Sequence, residues 1–449
     1  MSNTLLASYE TAAVPVSWQL RFNPQSNTVH PNTIGVPFTQ YSFGEGSSPM
    51  TIDWGDGTSS VVDENSQLED FTHTYDTSAD DVTVTLTSKT WPSYRYAVES
   101  YSDSASSSII RKQYFDTALI SVLDRIPKVA GGYYDGATAS FGTDLFNGCN
   151  NLVFVPDDVF DNNAANNRIS FSSCFNGCSS LTSIPAGLFD NIVNVTSFSS
   201  CFNGCSSLTS IPVGLFTNNT QITSFYNCFK GCSSLTSIPA GLFDNNTQVT
   251  TFWWCFGGCS SLTSIPDGLF DNNTQVITFA YCFYGTGIIS IPVGLFDNNV
   301  NVTSFADCFN KCSELKNIPA DLFSKNVEVT DFSSCFNDSG VESIPEGLFD
   351  NNTKATAFRQ CFGFNRLTNV PQNLFAKNIN VTDFGRCFVN AYFSDEVTLT
   401  IGSPVVDRAD NFVFDQLSMT MTVIVPANST TYDTFTEVAK DLNIVVQTA

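Results

Sequence analysis

Residues 171–191 read FSSCFNGCSSLTSIPAGLFDN, and they return almost unchanged at 198–218 as FSSCFNGCSSLTSIPVGLFTN. A looser form recurs along most of the chain. An aliphatic residue followed by proline marks each copy, at Pro127, Pro156, Pro185, Pro212, Pro239, Pro266, Pro292, Pro319, Pro345 and Pro371. The steps between these prolines are 29, 29, 27, 27, 27, 26, 27, 26 and 26 residues. A unit this short cannot bury its own apolar face, so copies must stack on one another as a solenoid.

Each coil reads in three pieces. Leu181 to Ile184 is expected to form a short strand, and its copies a parallel ladder about 4.8 Å apart. Pro185 suits the first position of a short helical turn through Phe189, because it has no N–H to leave unpaired there. A second helical turn is expected from Val195 through Phe202, ended by Gly204. Phenylalanine recurs in three columns, represented by Phe189, Phe198 and Phe202 and their equivalents. Stacked rings of this kind read as core.

The fifteen cysteines fall into two columns four residues apart. Cys282, Cys335, Cys361 and Cys387 lack the second member, and Cys149 lacks the first. Paired disulfides would be lost together, so both columns are expected to pack as small buried apolar groups. No C-x2-C spacing or nearby histidine points to zinc.

The run VTSFSSCFNGCSSLTSIP resembles the coils of the BspA-like leucine-rich-repeat surface proteins, over roughly residues 115–449. That resemblance implies surface display and adhesion without enzyme activity. This chain departs from it in using Phe and Cys where the family usually has Met. Upstream, TIDWGDGTSS (51–60), HTY (73–75) and VTVTLTS (82–88) resemble the PKD-type Ig-like fold, which implies a spacer, docking or carbohydrate-associated module. The expected architecture is mainly β with short helices, in four parts. Residues 1–14 form an arm and 15–110 an Ig-like β-sandwich. Residues 111–395 form a leucine-rich-repeat-type solenoid with a parallel strand ladder, whose first coil lies around Ala118–Pro127. Residues 396–449 form a cap of final strands with a helix over Tyr432–Leu442.

The formal charge is −24. Such a surface disfavours nucleic acid and anionic membranes, and no stretch reaches the roughly 18 apolar residues of a membrane helix. The opening MSNTLLASYETAAVPVSWQL carries no basic residue and no apolar run of signal-peptide length. From this a place on a bacteriophage virion surface is expected, with a bacterial cell surface as the alternative. The only histidines are His30 and His73, outside the repeats, which removes Ser-His-Asp and Cys-His catalysis from the solenoid. A polysaccharide-active enzyme is the remaining catalytic alternative. No cofactor is expected. Asp53, Asp56 and Asp63 are candidate calcium ligands, with turn formation as the competing role.

One local feature departs from the repeat. The two residues after the second-column Phe are small or polar in most coils, as in Ser199-Ser200. In three successive coils they are Tyr226-Asn227, Trp253-Trp254 and Ala280-Tyr281. On a helical turn that buries Phe252 and Phe256, Trp254 points outward and Trp253 lies on the flank. Tyr226, Trp253, Trp254, Tyr281 and Tyr284 are therefore a candidate surface contact, to a protein partner, a host glycan or a second copy of the chain.

Overall fold

The computed structural model describes residues 16–22, 24, 33–35, 49–63, 65–66, 72–75, 82–88, 119–122, 142–160, 169–410, 412, 421–427, 429–439 and 444–448. The expected arm (1–14), the Ser-rich stretch 101–114 and Pro127 lie outside them. The chain divides into two compact units, Met1–Ala139 with Asp158–Asn166, and Ser140–Asp157 with Asn167–Ala449.

In the first unit, strands β1 (Val16–Phe22), β3 (Met50–Asp53), β4 (Ser59–Val62), β6 (Val82–Ser88) and β7 (Leu119–Val122) form one antiparallel sheet in the order β4-β3-β6-β1-β7. A separate antiparallel pair joins β2 (Thr33–Gly35) to β5 (Thr72–Thr74). Alternation sets the faces: Met50 and Ile52 are buried while Thr51 and Asp53 are exposed, as a period of two requires. The segment expected to begin the solenoid at Ala118 is instead, over its described residues, an edge strand of this sheet. Leu20 pairs with Val122 and Arg21 with Ser121. Its leucine-to-proline spacing matches the repeat marker, but its backbone pairs with β1.

The turn after β3 is tightly wired. Gly55 has φ 81°, and a Cβ there would stand 2.5 Å from the Thr83 carbonyl oxygen, so only glycine fits. Trp54 is buried; its indole N–H donates to Ser60 Oγ at 3.0 Å, and its carbonyl accepts from the Tyr75 hydroxyl at 2.8 Å. His73 stacks on Trp54 and meets Tyr75 edge-on, with centroids 5.2 and 4.6 Å apart.

In the second unit the coils bury all three phenylalanine columns. Successive rings of one column lie nearly parallel, as in Phe175–Phe202 (5.4 Å, 2°) and Phe252–Phe279 (5.7 Å, 1°). Neighbouring columns meet tilted, as in Phe216–Phe225 at 4.8 Å. Each such pair adds about 0.5–1.5 kcal/mol beyond area burial.

The backbone of the coils differs from expectation. The LTSI segment is extended, but its ladder reduces to isolated contacts, such as the bridges Asn317–Ser343 and Ser343–Asn369. A longer run of bridges lies just before the second Phe column: Ser197, Ser224, Thr251, Thr278, Ser304, Asp331, Ala357, Asp383 and Arg408. The two expected helical turns are chains of β-turns instead. Cys201 N–H bonds to Phe198 O and Cys205 N–H to Phe202 O, each three residues back. The second of the two turns does not lengthen into helix because the residue two past each second-column Phe is left-handed, with φ between 54° and 60° from Ser173 to Arg386. That conformation turns alternate N–H groups onto the next coil: Ser200, Phe202 and Gly204 donate to the carbonyls of Tyr226, Cys228 and Lys230.

Two buried polar columns complete the coil. Asn219, Asn246, Asn273, Asn299, Asn326, Asn352 and Asn378 are all buried. Each Nδ2 clamps two carbonyls of the preceding coil; that of Asn246 donates to Phe216 O at 3.1 Å and to Asn219 O at 3.0 Å. All fifteen cysteines are buried thiols. The second column is more than filler: Cys205, Cys232 and Cys259 donate S–H to the carbonyls of Phe175, Phe202 and Phe229 at 3.1–3.2 Å. At three of the four places where the column abandons cysteine a polar side chain stands instead, and Ala391 takes the fourth; of the three only Asn365 reaches back to the coil before, while Thr286 and Ser339 bond to carbonyls within their own coil. Thr286 Oγ1 donates to Phe283 O, Ser339 Oγ to Phe336 O, and Asn365 Nδ2 also to Phe336 O.

The unit ends in a parallel sheet of β10 (Val397–Thr400), β11 (Met421–Val425) and β12 (Ile444–Thr448), in that order. The single helix among the described residues, α1 (Thr430–Ala439), lies between β11 and β12 in sequence and buries Thr431 and Phe435. A two-residue parallel pair, β8 (Arg366–Leu367) with β9 (Tyr392–Phe393), precedes it.

Candidate functional site

The turn that carries the aromatic residues projects three columns, at one, two and five positions past the second-column Phe. In regular coils these hold serines and an asparagine. Asn176 Nδ2 donates to Asn147 Oδ1 at 2.9 Å and Asn203 Nδ2 to Asn176 Oδ1 at 2.7 Å, an amide ladder along the turn. The ladder stops after Asn203, where the column reads Lys230, Gly257 and Tyr284, and it resumes with Asn337 donating to Asn310 at 3.1 Å.

Aromatic rings fill the gap. The Trp254 indole lies over Gly257, where a Cβ would overlap its Cε3. Lys230 Nζ sits 4.0 Å from the centre of the Trp254 ring. Tyr281 stacks on Trp254 at 4.6 Å and 7°, and Tyr284 leans on it at 4.8 Å. Lys311 Nζ lies 5.4 Å over Tyr284. Burial, with Asp307 beside it, pushes the Tyr281 phenol up to about 12. Burial likewise raises the Asp307 carboxyl above the ordinary carboxylate range, against the Asn310 amide bonded to it.

The five candidate residues therefore form two clusters. Tyr226 meets Trp253 edge-on at 5.0 Å and 81°, while Trp254, Tyr281 and Tyr284 form the braced stack. The expected order of exposure reverses. Trp253 is 39% exposed, whereas Trp254 is half-buried. Its φ of 57° is incompatible with the helical projection that placed it outermost. Lys230 and the glycine that admits the indole were not singled out in the sequence. The interruption of the asparagine column, at Lys230, was the signal.

The acidic candidates in the first unit act as turn formers. Asp53 Oδ1 accepts from Gly55 N at 2.9 Å and Asp63 Oδ1 from Asn65 N at 2.8 Å. Asp56 accepts from Thr58 N and Oγ1 and lies 2.7 Å from His73 Nε2. The Thr58 hydroxyl is the main cause that holds its carboxyl at about 2. Among the described residues no three His, Cys, Asp or Glu side chains converge as a metal site would require.

No protein-family model matches the chain, and no curated protein matches it. Solved structures with a similar outline include that of the Drosophila Toll–Spatzle complex, at 15% identity and TM-score 0.30, with 68% of this chain and 48% of that one covered. The TLR13–ssRNA13 complex gives 13% identity, TM-score 0.25, and 69% and 49%. The APL1 leucine-rich repeat domain gives 12% identity, TM-score 0.25, and 73% and 57%. The chain spans about half the length of these chains, and likeness at such TM-scores carries nothing about function. The chain's own coils are the firmer guide. One coil every 26 to 29 residues, inward leucine and phenylalanine, and a buried asparagine clamped on the coil before it give the repeat region a leucine-rich-repeat-like fold.

Proposed function

We propose that this is a non-enzymatic recognition protein, in which the repeat region presents the Tyr226–Lys311 surface to a partner. One observation supports the reading. The turn has a regular polar solution, the serine pairs and the amide ladder, and it forms equally well before and after this segment. Folding therefore does not require the aromatics, and an indole left 39% exposed gains nothing until something covers it.

The finer assignments belong to the same proposal. The coil sequence supports a BspA-like relationship. The wired turn of Trp54, Asp56 and His73 is compatible with a PKD-type module at the N-terminus. Surface display is the setting that the BspA-like resemblance supports; whether the surface is that of a virion or of a bacterial cell is tested by mass spectrometry of purified particles and of washed cells.

The test replaces Trp253 by serine, the residue that regular coils carry at that place. Labelled protein is applied to a panel of bacterial and animal cell surfaces. Loss of a centrally placed interface aromatic costs about 2 kcal/mol or more, roughly 30-fold in affinity. Trp253→Ser should lower adherence by that order with an unchanged melting temperature. Adherence equal to that of the parent would refute the reading.

A further inference from the structure

We infer that the aromatic surface formed by Tyr226, Trp253 and the Trp254–Tyr281–Tyr284 stack binds a carboxylate-bearing saccharide, with Lys230 and Lys311 attracting the acid group to it; this rests on the recognition role proposed above. Charge placement carries the inference. Between residues 169 and 315 the chain has seven acidic residues and only two basic ones, Lys230 and Lys311. Both basic residues sit on the aromatic cluster, at 4.0 Å from the Trp254 ring and 5.4 Å from the Tyr284 ring. On a chain of net charge −24, two ammonium groups on the same aromatic cluster single out one place where an anion is attracted.

Ring geometry favours a sugar over an acidic peptide. Trp254 has Lys230 on one face and Tyr281 stacked on the other, so it braces the site and offers little face to a ligand. Trp253 is different: Tyr226 meets it edge-on at 81° and leaves much of it open to solvent. An open indole suits the C–H face of a pyranose. A peptide would look instead for aliphatic pockets, and the two columns beside Trp253 hold no exposed aliphatic side chain. Long anionic polymers are disfavoured by the acidic remainder, so the ligand is a short or terminal acidic sugar.

The full-length protein is titrated calorimetrically with sialyllactose and with a glucuronic-acid-containing disaccharide. Lactose and hexaglutamate serve as controls. At least one acidic sugar should bind saturably, with Kd below about 10 mM, at least tenfold tighter than lactose. Trp253→Ser and Lys230→Met should each weaken that binding about tenfold. Methionine keeps an apolar chain over Trp254 while removing the charge, and an unchanged melting temperature shows that both variants fold. Absence of saturable binding by both acidic sugars overturns the inference, as does equal binding of lactose or tighter binding of hexaglutamate. If the sugars fail but Trp253→Ser still abolishes adherence to cells, the recognition role stands and only the ligand class is wrong.

Discussion

Asn245 and Asn246 are chemically identical neighbours with opposite surroundings, and replacing each by alanine tests the solenoid's internal wiring. The Asn246 side chain is buried and donates to Phe216 O and Asn219 O of the preceding coil. Its own Oδ1 has no hydrogen-bond partner. Asn245 is exposed and donates once, to Thr217 O at 3.0 Å. For Asn246→Ala, two buried bonds are lost at about 1 kcal/mol each. The carbonyls left behind keep one backbone partner apiece, Asn219 N–H and Ile222 N–H, so neither carries a full desolvation penalty. Removal of the unpartnered Oδ1 offsets part of the loss, and the small cavity adds to it. The net expectation is about 2–3 kcal/mol for Asn246→Ala, against about 0.5 kcal/mol for Asn245→Ala. Asn246→Asp should be worse than alanine, because it turns a carboxylate oxygen onto two carbonyl oxygens. Urea unfolding followed by far-ultraviolet circular dichroism reads all three, with the midpoint as the measure. Equal midpoints for Asn245→Ala and Asn246→Ala would refute the clamp as a source of stability.

The fifteen thiols are buried, and burial pushes those of Cys201, Cys228 and Cys255 well above the usual thiol range. Alkylation with iodoacetamide at pH 8 should therefore modify none in the native protein and all fifteen after denaturation without reductant; mass spectrometry showing native labelling would contradict it. Cys259→Ser should be tolerated better than Cys259→Ala, since the hydroxyl can still donate to Phe229 O; equal thermal stabilities would reduce the second column to packing. Asp56 titrates at about 2 in the fold against an ordinary 3.8. Its stabilising effect is thus present above about pH 4 and is lost as pH falls through about 2. Amide protection across β3 and β4, taken relative to the intrinsic exchange rate at each pH, should fall over that window, and Asp56→Asn should remove that fall.

The periodic parts of this protein were legible because one physical cause produced them. Phe198, Phe225 and Phe252 recur at a fixed step because each must meet the ring above and below. The unequal loss of the two cysteine columns pointed to thiols, and the polar substitutes Thr286, Ser339 and Asn365 marked the column as more than apolar filler, although Ala391 shows that not every coil has a donor there. Asn245 and Asn246 are the same residue type side by side, and only the stacked coil shows which asparagine faces inward. The left-handed residue in each turn left no trace in composition, since Ser200, Asn227, Trp254, Gln360 and Arg386 all occupy it. Glycine is the usual signal of that conformation. Here the hydrogen bonds to the next coil impose it on residues that would otherwise avoid it, and the ring positions around Trp253 followed from that backbone. The strand at Leu119 was hidden by a chance match to the repeat's own proline spacing.

The two sets of inter-coil bonds run in opposite directions. On the turn side, Ser200, Phe202 and Gly204 point their N–H groups toward the following coil; on the other side, Thr223, Ser234 and Thr236 point theirs toward the coil before. In an α-helix the peptide dipoles add, whereas here they oppose one another and largely cancel along the stack. Each end of the repeat region must then offer donors on one side and acceptors on the other. The C-terminal residues meet this demand: the carbonyls of Arg408, Asp410 and Phe412 receive the N–H groups of Phe384, Arg386 and Phe388, while Asp407 N–H returns to Thr382 O. A coil inserted in the middle would present the same two-sided seam above and below. The array could therefore lengthen or shorten by whole coils without redesign of its ends and without a growing electrical polarity along its length.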